Sequence, residues 1–184
     1  MTKINLWRLI SDHLHTLVDY PNTRLSVGDA VLFFGSPVAL GAVCAALGFG
    51  FKADVLIGLL TAFSIFAGLL LNLLVLVFSY TQSAFENPNP PDTTALIRRR
   101  VVREIHANVS FAILISLAVV VVATVALWVV RHYEGSAPRE TGMVPTFLLV
   151  TLAANFILTM MMVLKRMHLL ISNEFDRANK KRVA

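Results

Sequence analysis

The chain has one cysteine, Cys44, in 184 residues. An intramolecular disulfide is excluded, and a lone thiol in an apolar run reads as a small packing residue. Charge is scarce as well. Asp, Glu, Lys and Arg make up 15% of the chain, against about 25% in soluble domains. No charged residue occurs from Ala107 to Val130, and no Asp, Glu, Lys, Arg or His stands deep in any long apolar run. Proton relays and ion-coupled carriers place ionisable groups there, so a proton-driven transporter is disfavoured. Of the five histidines, His106 on span three and His168 on span four both fall near the cytoplasmic interface. Such a pair would either hold a haem or metal or face the surface, which is the simpler reading. No phosphate-binding glycine loop, nucleophile elbow, HExxH or paired cysteines occur. No cofactor, no metal and no enzymatic activity are therefore expected. A cleavable signal peptide is not expected either, because Arg8, Asp12, His13 and His15 interrupt the first apolar stretch.

What the chain has in quantity is apolar residue: 57% is hydrophobic and the mean hydropathy is +0.72. The expected fold class is an all-α integral membrane protein with four transmembrane helices, an N-terminal amphipathic helix and helical cytoplasmic extensions. Residues 1–184 form a single membrane domain. Spans are expected at about 30–49, 54–79, 107–131 and 145–166, with a cytoplasmic turn and basic helix at 80–106 and a tail at 167–184. The stretch from Asp92 to Arg131 organises the rest. It follows Asn87-Pro88-Asn89-Pro90-Pro91, which no helix can cross, since each proline removes a donor and fixes φ. Asp92 or Thr93 can then cap a helix. Its 40 residues would reach roughly 60 Å, about twice the hydrocarbon thickness. The apolar half fits lipid and the arginine half projects into the cytosol.

Residues 4–19 repeat with helical period, and this helix either lies in the membrane interface or packs on its neighbours just below it. In the first span Gly35, Ala39, Ala42 and Ala46 share one face, and Gly41 and Ala45 another. Small faces allow close helix approach. Pro37 predicts a kink or weakened turn, and the short link 48–52 predicts a tight antiparallel hairpin of spans one and two. In span two Thr61, Ser64, Gly68, Asn72 and Ser79 lie on one stripe. Span three carries Asn108, Ala112, Ser116, Ala123 and Ala126, and Trp128, His132 and Tyr133 mark its far interface. Span four begins at Pro145, in first-turn position, and carries Thr151, Asn155 and Thr159 before three methionines, with helix continuing to about Ala178. A parallel internal repeat would pair Asn72 with Asn155, although two hairpins drawn from so narrow an alphabet resemble each other without one.

Basic residues set the orientation. Three lie in the N-terminal segment (Lys3, Arg8, Arg24), four in the middle loop (Arg98, Arg99, Arg100, Arg103) and six from Lys165 onward, against Lys52, Arg131 and Arg139 on the other side. Both termini are then cytoplasmic. The net charge of +5 comes from this loop bias, and no nucleic-acid binding is expected. The candidate sites derive from the same layout. Ser64, Asn72, Thr151, Asn155 and Thr159 either line a pore or bridge helices. Arg98, Arg99, Arg100, Arg103, Lys165 and Arg166 contact a cytosolic partner or anionic lipid. Gly35, Ala39, Gly68, Ala112 and Ser116 are expected to pack a homo-oligomer, with a tetramer favoured.

The helix at 4–19, the lead-in Arg24-Leu25-Ser26-Val27-Gly28-Asp29, and Gly68-Leu69-Leu70-Leu71-Asn72-Leu73-Leu74 resemble the small four-span membrane subunits of bacterial anti-phage defence systems, of the Kiwa type. The resemblance implies an inner-membrane homo-oligomer that works with a cytosolic protein partner. Immunity proteins against pore-forming colicins share the layout, so the alternatives are a protein that binds another protein within the bilayer, or a small transporter.

Overall fold

The computed structural model describes residues 10–11, 28, 31–85, 93–132 and 140–183. All regular structure among them is helical. Helix α1 is Val31–Ala46, α2 is Ala53–Phe85, α3 is Thr93–His132 and α4 is Met143–Val183. The apolar parts Ala53–Ser79, Arg100–His132 and Met143–Leu169 are each long enough to cross a bilayer. At 1.5 Å per residue α1 reaches only about 24 Å, short of a hydrocarbon core of about 30 Å. Of the amphipathic helix expected at 4–19, only Ile10 and Ser11 are described. Both are helical, and Ile10 packs against the core. The remainder of that helix lies outside the described residues, as does Tyr133.

Helix α1 opens as a π turn, Val31–Gly35, before the α-helix Ser36–Ala46. Pro37 is the cause. It has no N–H, and its ring crowds the carbonyl four residues earlier, so the turn around Phe33 widens. This is the weakened turn expected from the sequence. The helix ends in a Schellman motif, in which the Phe49 N–H donates to Cys44 O and the Gly48 N–H to Ala45 O, both at 3.1 Å. Gly48 holds φ at 74°, a left-handed conformation that glycine adopts without penalty.

The helices alternate in direction, and they pack in the order α2, α3, α4, α1. The expected α1–α2 hairpin does not form: Cα atoms of the two helices nowhere come within 8 Å. A short link brings only the helix ends together, whereas face shape selects the neighbour. The α2 face Leu56, Phe63, Leu70 and Val77 belongs to the core shared with α3, and the narrow α1 face Pro37, Gly41 and Ala45 is buried on α4. Helix α3 is central, with Val101, Val102, Ile105, Val109, Ala112, Val119, Ala123, Ala126 and Val130 all buried. Phe156 of α4 reaches Phe63 and Phe66 of α2, with ring centroids 5.1 and 5.3 Å apart.

The two connections on the side opposite the arginines are tied together. The Phe51 N–H donates to Thr141 Oγ1 (2.8 Å), the Thr141 N–H donates back to Phe51 O (3.0 Å), and Thr141 and Thr146 share a hydroxyl hydrogen bond of 2.8 Å. Gly50 permits this approach, because a Cβ there would lie 2.6 Å from Glu140 Cβ. Nearby, Trp128 is exposed and stacks on His132 at 5.0 Å, as suits a membrane–water interface.

Candidate functional site

The polar residues of the spans separate into two environments. The first is the seam between α1 and α4. Asn155 is buried there and donates from Nδ2 to the Phe33 carbonyl at 3.0 Å. That carbonyl is the one whose α-helical donor Pro37 removes. A side chain on α4 thus brings this carbonyl a donor where Pro37 has no N–H to give. One turn earlier on α4, Thr151 faces Gly41. A Cβ on Gly41 would collide with Thr151 Oγ1 and stand 2.9 Å from the Phe147 carbonyl oxygen. The pairing therefore runs antiparallel, with Phe33 at Asn155, and Gly41 at Thr151 and Phe147. Thr159 is buried and returns its hydroxyl to Asn155 O at 2.9 Å. Thr151 Oγ1 and Asn155 Oδ1 are buried and accept no hydrogen bond among the described residues.

Asn108 lies between α3 and α4. It is completely buried and donates from Nδ2 to Met162 Sδ at 3.2 Å, which gives one methionine of the 160–162 cluster an acceptor role. Ala112 and Ser116 are also fully buried, with the Ser116 hydroxyl donating to Ala112 O at 2.9 Å. These two positions pack the protomer's own core.

The second environment is the outer face of α2. Thr61, Ser64, Gly68, Asn72 and Ser79 are all exposed. At about 100° per residue they share an arc of about 80°, whose centre lies roughly 150° from that of the buried residues Leu56, Phe63, Ala67, Leu70 and Val77. Thr61 and Ser79 return their hydroxyls to Ile57 O and Val75 O. Asn72 has no hydrogen-bond partner among the described residues. On α1, Gly35 and Ala39 are likewise exposed. Asn72 and Asn155, equivalent in the expected repeat, thus have opposite surroundings.

At the arginine end, Glu104 joins α3 to α4. It accepts from Arg100 Nε at 2.9 Å and pairs with Arg166 Nε at 3.6 Å. Arg103, His106, Lys165 and His168 are exposed. Arg98 and Arg99 lie on α3, but their side chains fall outside the described set. Sequence reading singled out these cations but missed Glu104, whose one signal was its i,i+4 spacing from Arg100. It also missed Thr141 and Thr146, which had no signal beyond their place in a connection. For Asn155 a signal existed: Pro37 announces a carbonyl in need of a donor, without saying where the donor sits.

Compared with known proteins, the chain matches no family model, no curated protein and no solved structure.

Proposed function

We propose that this chain is a non-enzymatic protein of the bacterial inner membrane that self-associates and couples a cytosolic partner to the bilayer, as a subunit of the anti-phage defence type. In this reading α1 makes the fourth crossing, and both termini are cytoplasmic. The observation that carries the proposal is the apolar stripe of α3. It runs from Val101 and Val102 through Ile105 and Val109 to Ala126 and Val130 without leaving the core, so the turns that carry Arg100 and Arg103 are buried on their inner face as the membrane part is. Charges that only fixed topology would need no such support. A packed stem beneath a basic rim suits a surface that receives an acidic partner and passes its load to the membrane.

Within this reading, any neutral polar lining shared between copies falls to Ser64 and Asn72, because the Asn155 amide is engaged with α1. The outward stripe also favours the second reading, a protein that binds a different protein within the bilayer. Purified protein that is monomeric in mild detergent and in native membranes would select that alternative.

The coupling is tested by site-specific photocrosslinking in cells from positions 99, 103 and 106. The expected result is an adduct with one soluble protein, lost on Arg99→Glu/Arg103→Glu while the chain remains in the membrane fraction. If none of the three positions gives a cytosolic adduct, the coupling role is wrong.

A further inference from the structure

We infer that the outer face of α2 is a seam between copies of this chain, and that Asn72 of one copy pairs with Asn72 of the next inside the hydrocarbon. The inference rests on the membrane reading above and names the surface through which self-association occurs.

Three observations converge on it. First, α2 carries its polar positions outward. Leu56, Phe63, Leu70 and Val77 face inward and are buried, while Ser64, Gly68 and Asn72 face away from the bundle among exposed apolar residues such as Ile57 and Val75. Second, Asn72 lies about 9 Å from the midpoint of Ala53–Ser79, within a hydrocarbon core of about 30 Å. Lipid tails offer no partner to a carboxamide, and the protomer supplies none among the described residues. Third, the small residues lie beside it. Gly68 is one turn away, and nothing stands within 4 Å of where its Cβ would be. A second backbone can therefore come close without displacing anything in the first.

The choice of occupant rests on chemistry. Every copy inserts with the same orientation, so two α2 helices that meet on these faces run parallel and in register. Residue 72 then faces residue 72 and residue 68 faces residue 68. A primary amide carries two donors and an acceptor oxygen, which makes Asn72 complementary to itself. An unrelated partner would have to present a matching group at the same depth, whereas a second copy does so by symmetry. On α1 the exposed small face of Gly35, Ala39, Ala42 and Ala46 carries no carboxamide, and the helix's polar contact with Asn155 is made within the protomer.

The test is disulfide trapping in native membranes, in a Cys44→Ala background. Ser64→Cys and Gly68→Cys should give covalent dimers. Ala39→Cys on the exposed face of α1 and Val121→Cys on that of α3 should not. Adding Asn72→Leu to Ser64→Cys should weaken association about threefold to tenfold, the range of measured inter-helix hydrogen bonds in bilayers. Asn72→Gln, which keeps the amide, should retain most of it. Gly68→Leu should block trapping at position 64 without lowering the protomer's own thermal stability, since its side chain meets open space. Dimers from positions 39 or 121 but not from 64 or 68 would overturn the α2 seam and leave self-association standing. Equal yields from all four positions would mean collision only and would also overturn it. No dimers from any position, with a monomer in native membranes, would overturn both the seam and the self-association.

Discussion

A proline removes the donor that the carbonyl four residues earlier would use, and here that carbonyl belongs to Phe33. Asn155 Nδ2 supplies a replacement at 3.0 Å. Pro37 and Asn155 thus form one device divided between two helices, and their substitutions should not add. Asn155→Leu alone is expected to destabilise the fold by about 1–2 kcal/mol. After Pro37→Ala the backbone again has an N–H for Phe33, and the same substitution should cost less by about 0.5 kcal/mol or more. Denaturant titration of the four variants in micelles measures this, and equal costs in both backgrounds would remove the bond's structural importance. At this scale the sequence was legible in kind and not in pairing. Asn72 and Asn155 each stood out as a carboxamide on a polar stripe. Helical period places a residue on a face, but nothing local says whether that face meets another helix of the same chain. One asparagine caps a π turn 122 positions away, and the other points out of the bundle.

The helices themselves were readable because their limits are chemical. The proline run at 88–91 forces a break, and the observed α3, Thr93–His132, differs by one residue at each end from the stretch read off apolar run and cap. Neighbour choice was not readable. The link between α1 and α2 is so short that it suggested a hairpin, yet α1 crosses over to α4, where a Gly41 without Cβ meets Thr151 and the Phe147 carbonyl. That contact makes two glycines diverge. Gly41→Ala is expected to cost about 1–3 kcal/mol through overpacking, because one of the colliding atoms is backbone and cannot rotate away. Gly68→Ala, in open space, should leave stability unchanged or slightly raised, as expected for Gly→Ala in a helix. Thermal melts in the same detergent compare them. If Gly41→Ala proves as harmless as Gly68→Ala, α1 is not docked as described.

For the whole molecule, the basic residues and the alternating helices make one forecast. In a Cys44→Ala background, a membrane-impermeant thiol reagent added outside cells should reach Ser136→Cys and Pro138→Cys but not Asn89→Cys or Ala178→Cys, and the reverse pattern would invert the protein. In this orientation the Thr141–Phe51 tie, with Thr146 behind it, joins the α1–α2 link to the lead-in of α4 on the outer side. At the arginine end Glu104 pairs with Arg166 and joins α3 to α4, so this pair of helices is linked there while the lead-in to α4 is tied to Phe51 at the other end. A helix of 40 residues is about 60 Å long, so a tilt of about 1° at the tie displaces its far end by about 1 Å. In the proposed coupling, a load applied at the arginine end would tilt α3 and α4 together, because Glu104 joins them there, and the stretch that crosses the hydrocarbon lies between that load and the outer tie.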